Sequence, residues 1–159
     1  MAITKIQSES LNLADNYDFT GTVTGAGGGL LLQIVSFASS GSTNTTSGSY
    51  VDTALSATIT PSSASNKVLI IHSGACEPSS GTAAELTAER NGTLVANKLF
   101  TSQVQGVSNN AHFTFLDSPA STSALLYKIK LRSSNSGVNS NHNSQNPTAS
   151  IILMEISAW

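Results

Sequence analysis

Charged side chains are scarce in this 159-residue sequence, where Lys, Arg, Asp and Glu make up 10% of the residues, against about 25% in a typical globular protein. The formal net charge is −2, so no basic patch is expected to neutralise a phosphate backbone or an anionic membrane surface. We therefore expect no nucleic-acid partner. The small net charge also argues against disorder, which usually combines low hydrophobicity with high net charge.

Cysteine and long apolar runs are also lacking. Cys76 is the one cysteine, so an intrachain disulfide is excluded and a Cys/His metal cluster is not expected. We expect its side chain to be a small buried apolar group. The apolar runs are too short to span a bilayer, and the first six residues lack the apolar core of a signal peptide. These features predict a soluble protein made in the cytoplasm, without membrane insertion.

Residues 1–29 form a predicted arm that ends in a hinge, the sequence Gly-Ala-Gly-Gly-Gly at 25–29. Large apolar side chains in such a short polar segment need a second surface, because burial must offset the entropy lost on ordering. The hinge lacks the Gly-Lys-Ser/Thr ending of a phosphate-binding loop. We predict that the arm attaches the protein to another protein through Ile3, Ile6, Leu11, Leu13, Tyr17, Phe19 and Val23.

From residue 30 onward, short β-like runs recur between polar turns, which is typical of an all-β sandwich. The predicted strands are 30–37, 50–60, 67–72, 85–90, 93–98, 111–116, 125–132 and 151–156. The segments between them, including 38–49 and 133–146, are predicted loops. About eight strands without helical periodicity predict an antiparallel β-sandwich of jelly-roll type, a head domain over residues 30–159.

Two segments of this head allow more specific predictions. The continuous apolar run 67–72 is what a central strand covered on both faces needs. Thr82 and Glu85 have the spacing of a helix capping box, but Asn91-Gly92 follows before a helix can develop. Since Asn-Gly favours a two-residue hairpin turn, we predict that residues 85–90 pair with 93–98.

The C-terminal segment 151–159 is apolar enough to form a strand next to a subunit axis. The apolar content of one head is modest, so a single copy is expected to be marginally stable. A closed ring of heterologous contacts would bury more apolar surface and produce a homotrimer. The predicted trimer interface consists of Ile152, Met154, Ile156 and Trp159.

The histidines and acidic residues do not form a catalytic or metal-binding motif. His72 and His112 lie in predicted strands and His142 in an Asn/Ser-rich loop, with no His-x-His pair. We expect the first two to be strand residues with satisfied hydrogen bonds and His142 to be solvated. The alternative is a metal centre or a histidine cluster on a trimer axis. The sequence predicts no enzyme activity, cofactor or metal.

The long loop 133–146 has two interpretations. It is either a plain surface loop, which we favour, or a sugar-binding loop, because amide and hydroxyl groups can hydrogen-bond to a sugar. In the second case the ligand residues are Asn139, Asn141, His142 and Asn143.

Six short motifs follow one another along nearly the whole chain. They are ITKI at 3–6, ADNYDFTGTVTG at 14–25, TALSATITP at 53–61, NKVLI at 66–70, LDSP at 116–119 and LMEI at 153–156. In this order they resemble capsid-fibre, knob and tail-fibre proteins of bacteriophages, particularly those that infect cyanobacteria and other aquatic bacteria. The resemblance implies a virion protein assembled in the host cytoplasm. It also implies an N-terminal attachment piece, a trimeric head similar to tumour-necrosis-factor-like jelly rolls, and no catalytic residues.

The chain is short and has no repeated shaft, which favours a knob over a long fibre. The predicted function is a trimeric knob, cement (decoration) or short fibre protein, anchored by its arm to other virion proteins of the capsid or tail. The first alternative is a tail-fibre head that recognises a glycan on the host surface. The second is a free lectin-like module.

Overall fold

The computed structural model describes residues 30–145 and 147–158, and these residues form β-strands and turns without a helix. The strands are β1 Leu31–Ser39, β2 Thr43–Thr45, β3 Val51–Ile59, β4 Lys67–Pro78, β5 Ala84–Arg90, β6 Thr93–Leu94, β7 Phe100–Ser102, β8 Asn109–Asp117, β9 Leu125–Ser133, β10 Ser140–His142 and β11 Ala149–Ile156. No helix with the length and hydropathy of a membrane span occurs among them. The predicted arm and hinge, all seven predicted attachment residues, and Trp159 lie outside the described residues.

The strands form two antiparallel sheets that pack as a sandwich. Sheet A has the order β1-β11-β4-β8, and β10 and β2 continue it beside the C-terminal half of β4. Sheet B has the order β3-β9-β5, and both β6 and β7 pair with β5. The long strands alternate between the sheets in the manner of a jelly roll. The predicted all-β antiparallel sandwich is confirmed.

The core lies between the sheets because side chains alternate across each strand. In β9, Tyr127, Ile129 and Leu131 point inward and are fully buried, while Lys128 and Lys130 between them point outward. The inward residues of β11 meet them from sheet A. Full burial of one such aliphatic side chain stabilises the fold by about 1.5–3 kcal/mol.

The predicted hairpin after β5 is confirmed, although its second strand is shorter than expected. Asn91 and Gly92 have φ angles of 47° and 87°, as a two-residue hairpin turn requires. β6 pairs with β5 over two residues, and the Val95 amide then donates to the Ala88 carbonyl at 2.9 Å. The helix alternative for this region is wrong.

Three short strands lie in segments where no strand was predicted. β2 and β10 pair with each other within the predicted loops 38–49 and 133–146, and β7 pairs with β5. Their sequences are mostly polar and have no apolar alternation, so backbone pairing to neighbouring strands holds them in place. β4 also runs six residues beyond its predicted end at His72.

The prediction that residues 67–72 are covered on both faces is wrong for a single chain. The strand is central in sheet A, and its inward side chains Val68 and Ile70 are fully buried. Its outward side chains Leu69 and Ile71 are only half-buried. The described residues of one chain bury the inner face of sheet A and leave Leu69 and Ile71 on its outer face only partly covered.

Candidate assembly surface

Apolar side chains cover the outward side of sheet A across four neighbouring strands. On β11, Ile152 and Met154 point away from the core, opposite Ile71 and Leu69 of β4. On the flanking strands, Leu116 lies opposite Leu69 and Ile34 opposite Met154. We call this surface the apolar face, and it consists of Ile34, Leu69, Ile71, Leu116, Ile152, Met154 and Ile156.

The apolar face is exposed most at its two edges. Ile34 is 55% exposed and Leu116 50% exposed, while the five members on the central strands are half-buried. The charged residues of β4 are Lys67 and Glu77, at opposite ends of the strand. The middle of the apolar face therefore carries no charge from β4. A contiguous apolar surface with a polar rim is typical of an interaction site.

Strand β1 extends this surface to the edge of sheet A. Within the described residues β1 pairs with β11 and with no second strand. Its sequence, LLQIVSFAS, contains no charged residue and no proline, the two features that usually prevent pairing at an exposed sheet edge. Leu31 and Phe37 are about half exposed. The edge is therefore suited to contact with another protein.

The structure brings three of the four predicted interface residues together. Ile152, Met154 and Ile156 lie on the apolar face at alternate positions of β11. Sequence reasoning missed the other members of the face, which are Ile34, Leu69, Ile71 and Leu116. The uninterrupted apolar run in β4 was the available signal, because a strand buried on one side has no need of outward Leu69 and Ile71.

A buried carboxylate fixes the strands of this surface in position. Glu155 on β11 points inward and accepts hydrogen bonds from Gln33 Nε2 at 2.6 Å, Asn66 Nδ2 at 2.6 Å and the Ser62 amide at 2.7 Å. Burial raises the pKa of Glu155, but these hydrogen bonds outweigh it and lower the pKa to about 2. The carboxylate thereby ties together β1, the β3–β4 turn and β11.

The outward side of sheet B is charged and its charges are paired. Lys128 contacts Asp52 at 2.8 Å, and Lys130 lies between Asp52 and Glu89. Glu85 nearby pairs with both Lys98 and Arg132. Partly exposed pairs of this kind add little to stability, but they leave few unpaired charges on this face.

His72 and His142 lie side by side in the core, with ring centroids 5.3 Å apart. His72 Nδ1 is 3.0 Å from the Ser150 carbonyl oxygen, while His72 Nε2 and both nitrogens of His142 have no partner among the described residues. Burial, with a smaller contribution from His142, lowers the pKa of His72 to about 3. Burial also lowers the pKa of His142 to about 4. Both rings are therefore neutral near pH 7.

The expectation that His142 is solvated is wrong. His142 belongs to β10 and pairs with Cys76 of β4, which turns its ring into the core. His112, by contrast, points outward on β8 and is exposed. Cys76 is buried as expected, and burial raises the pKa of its thiol to about 12. Among residues 30–145 and 147–158, no group of three or more His, Cys, Asp or Glu is arranged to hold a metal ion.

The four predicted ligand residues do not share one surface. His142 and Asn143 are fully buried, so their side chains are out of reach of a sugar in solvent. Asn139 and Asn141 are half-buried, and Asn139 Nδ2 donates to Asn141 Oδ1 at 3.5 Å. The strand geometry of β10 separates the residues that the sequence places together.

This two-sheet arrangement is similar to that of a solved viral protein. The crystal structure of the infectious bursal disease virus VP2 subviral particle matches with a TM-score of 0.51 and 14% identity, covering 79% of this chain and 33% of that chain. Infectious bursal virus derived T=1 particles give a TM-score of 0.49 and 13% identity, covering 91% and 43% of the two chains.

The chain thus spans less than half the length of either capsid chain. No protein-family model and no curated protein matches the sequence. At this level of identity the likeness shows the fold, a β-sandwich shared with viral structural proteins.

Proposed function

We propose that this chain is a structural protein of a virus particle, and that its head associates with other copies through the apolar face. The exposed, charge-free patch on sheet A is the observation that carries this proposal. Cores of protein interfaces are depleted in charged residues and enriched in apolar ones such as Met. In this proposal the protein acts by binding and does not catalyse a reaction.

A homotrimer is the assembly that best uses the geometry of the face. β11 lies between β1 and β4, so Ile152, Met154 and Ile156 are in the middle of the surface that one copy offers the next. Three copies can place their β11 strands around one axis and close a ring of identical contacts. The uncharged edge of β1 would then lie beside a neighbouring subunit.

The head is proposed to be a knob, cement or short fibre component of a bacteriophage particle. Its β-sandwich is a fold that viral capsid proteins also have, which supports the particle role through architecture alone. Residues 1–29 are proposed to anchor the head to a capsid or tail protein.

Particle composition tests this proposal. We expect the chain in purified particles at a copy number that follows the capsid lattice. A few trimers at a single vertex would favour the tail-associated, receptor-binding head instead. Absence of the chain from intact particles would contradict a virion role.

Removal of residues 1–24 tests the anchor separately. The truncated head is expected to fold and self-associate but to be lost from particles, because the attachment residues are missing. A full-length chain carrying Thr58→Asp is the control, since Thr58 is exposed on sheet B. The substitution leaves both the arm sequence and the apolar face unchanged. Unchanged incorporation of the truncated chain would show that the arm is not the anchor.

A further inference from the structure

A polar cleft opens on the outward side of sheet A where β4 changes partners. β11 pairs with β4 as far as Ser73, and β10 begins to pair with it at Cys76. At Gly74 and Ala75 the sheet forks, because neither β11 nor β10 pairs with β4 at these two residues. A cleft of about 400 Å³ lies at the fork, between β8 on one side and Gln145, Pro147 and Thr148 on the other, within the range of about 300–1,000 Å³ that small-molecule sites occupy.

The lining of this polar cleft is rich in hydrogen-bonding groups and contains no Asp, Glu, Lys or Arg. Gly74 and Ala75 form its floor, and Pro147 contributes an apolar ring. The polar side chains around it are Ser73, Ser108, Asn110, His112, Gln145 and Thr148. They supply three hydroxyl groups, two amides and one imidazole, and no carboxylate, ammonium or guanidinium group.

These six side chains make no hydrogen bond to the rest of the described chain, in contrast to polar residues directly beside them. Asn109 Nδ2, one residue from Asn110, donates to the carbonyl oxygens of Val104 and Val107 at 3.1 Å and 2.8 Å. Ser144 Oγ, next to Gln145, donates to Glu77 Oε2 at 2.7 Å. The neighbours stabilise the fold, whereas the lining groups keep their donors and acceptors available for a ligand.

We propose that the polar cleft binds one neutral saccharide unit. A sugar offers many hydroxyl groups to Asn110, Gln145 and the lining hydroxyls, and its C–H faces can pack on the rings of Pro147 and His112. An anionic ligand would meet no Lys or Arg side chain, the groups that bind anions most strongly. A fully apolar ligand would leave the lining amides and hydroxyls desolvated without partners.

The polar cleft is separate from both surfaces considered so far. It lies on the half of sheet A beyond Ile71 and Ile152, so burial of the apolar face leaves its polar side chains at the margin of the interface. All of its lining residues belong to one chain, and the proposal therefore does not depend on self-association. It takes only Gln145 from the loop 133–146 and none of the four ligand residues that the sequence indicated, two of which, His142 and Asn143, face the core.

Saturation-transfer difference NMR on the full chain tests the proposal with glucose, galactose, mannose and N-acetylglucosamine as probes. Glucose 6-phosphate serves as the anionic comparison. The test variant is the double substitution Asn110→Ala and Gln145→Ala. The matched control is Asn141→Ala, which removes an outward amide on the neighbouring strand β10 that does not line the cleft.

We expect at least one neutral sugar to give a signal, to bind about tenfold more weakly to the double variant, and to bind unchanged to Asn141→Ala. Glucose 6-phosphate should bind no more tightly than glucose. The side chains of Asn110 and Gln145 are exposed, so we expect the double variant to fold. Thermal melting of each variant checks this. The proposal is overturned if no neutral sugar binds, if the double variant retains full binding, or if Asn141→Ala loses it equally.

Discussion

The outward faces of the two sheets follow the same strand alternation but carry opposite chemistry. On sheet B three of the four outward positions of β9 are Lys128, Lys130 and Arg132, each with an acidic partner on a neighbouring strand, and the fourth is Leu126. On sheet A the corresponding positions of β11 are Ile152, Met154 and Ile156. A half-buried strand needs one apolar face only. The described core does not account for the second apolar face of sheet A, and this is the face that the proposed self-association would bury.

The largest expected effect is on self-association. Ile152→Asp places a charge in the middle of the apolar face, whereas Thr58→Asp places the same charge on exposed sheet B. Burying an unpaired carboxylate at an interface costs about 3 kcal/mol or more, at least about a hundredfold in the dissociation constant. We expect light scattering to show monomers for Ile152→Asp and unchanged assemblies for Thr58→Asp. Equal behaviour of the two variants would remove the distinction between the faces.

The next largest effect is expected from acid acting on the core behind sheet A. His72 and His142 have folded-state pKa values of about 3 and about 4, below the ordinary value near 6.5. Because both rings bind protons more readily in the unfolded chain, the free energy of unfolding is highest above pH 6.5 and falls as the pH is lowered toward 4. Two such groups lower the free energy of unfolding by roughly 3 kcal/mol between pH 6.5 and 5.

Urea unfolding at a series of pH values measures this effect. His142→Leu is expected to reduce the pH dependence, because it removes one of the two buried rings. Thr58→Ala is the control, since Thr58 is exposed on sheet B and its replacement should leave the dependence unchanged. A stability that is flat between pH 6.5 and 5 would show that the rings are not kept neutral by burial.

A smaller effect separates two carboxylates, one behind sheet A and one on sheet B. Glu155→Gln removes the negative charge and replaces one of the two acceptor oxygens with an NH2 donor, which should lower the free energy of unfolding by about 2 kcal/mol at pH 7. Asp52→Asn should cost below about 1 kcal/mol, because Asp52 is largely exposed and solvent screens its ion pairs. Chemical denaturation measures both, and a reversed order would contradict the roles assigned to the two sheets.

The contribution of Glu155 should itself depend on pH. Its pKa is about 2 in the folded state against an ordinary value of 4.5. The stabilisation is therefore present above pH 4.5 and is lost as the pH falls from 4.5 toward 2. The difference between the wild type and Glu155→Gln should shrink over that interval.

The smallest effect is expected from salt on sheet B. Its ion pairs are partly exposed, so raising the ionic strength should lower stability by less than about 1 kcal/mol. Self-association through the apolar face should be maintained or strengthened by the same change, because salt does not screen apolar contacts. Dissociation of the assembly by salt would indicate that charges, not apolar side chains, hold the copies together.

The long strands could be predicted from the sequence because their apolar alternation is a local signal. The pattern in β9 and the Asn91-Gly92 turn predicted a strand and a hairpin that the structure confirms. β2 and β10 could not be found in this way, since Thr43–Thr45 and Ser140–His142 are polar and depend on strands that are distant in sequence. Pairing of that kind leaves no local periodicity.

The candidate site was predictable in part for the same reason. The C-terminal run identified Ile152, Met154 and Ile156, but it could not show that Leu116 and Ile34 join them through β8 and β1. The inward orientation of His142 could not be predicted from the sequence, because it depends on the pairing of β10 with β4. The polar cleft depends on the fork at Gly74, which is a property of the sheet and not of any segment.

We infer that the apolar face joins copies of this chain, and the mass of the full chain in solution tests this inference. Sedimentation equilibrium at tens of micromolar should give three times the 16.4 kDa chain mass. A single species of 16.4 kDa under the same conditions would contradict the account.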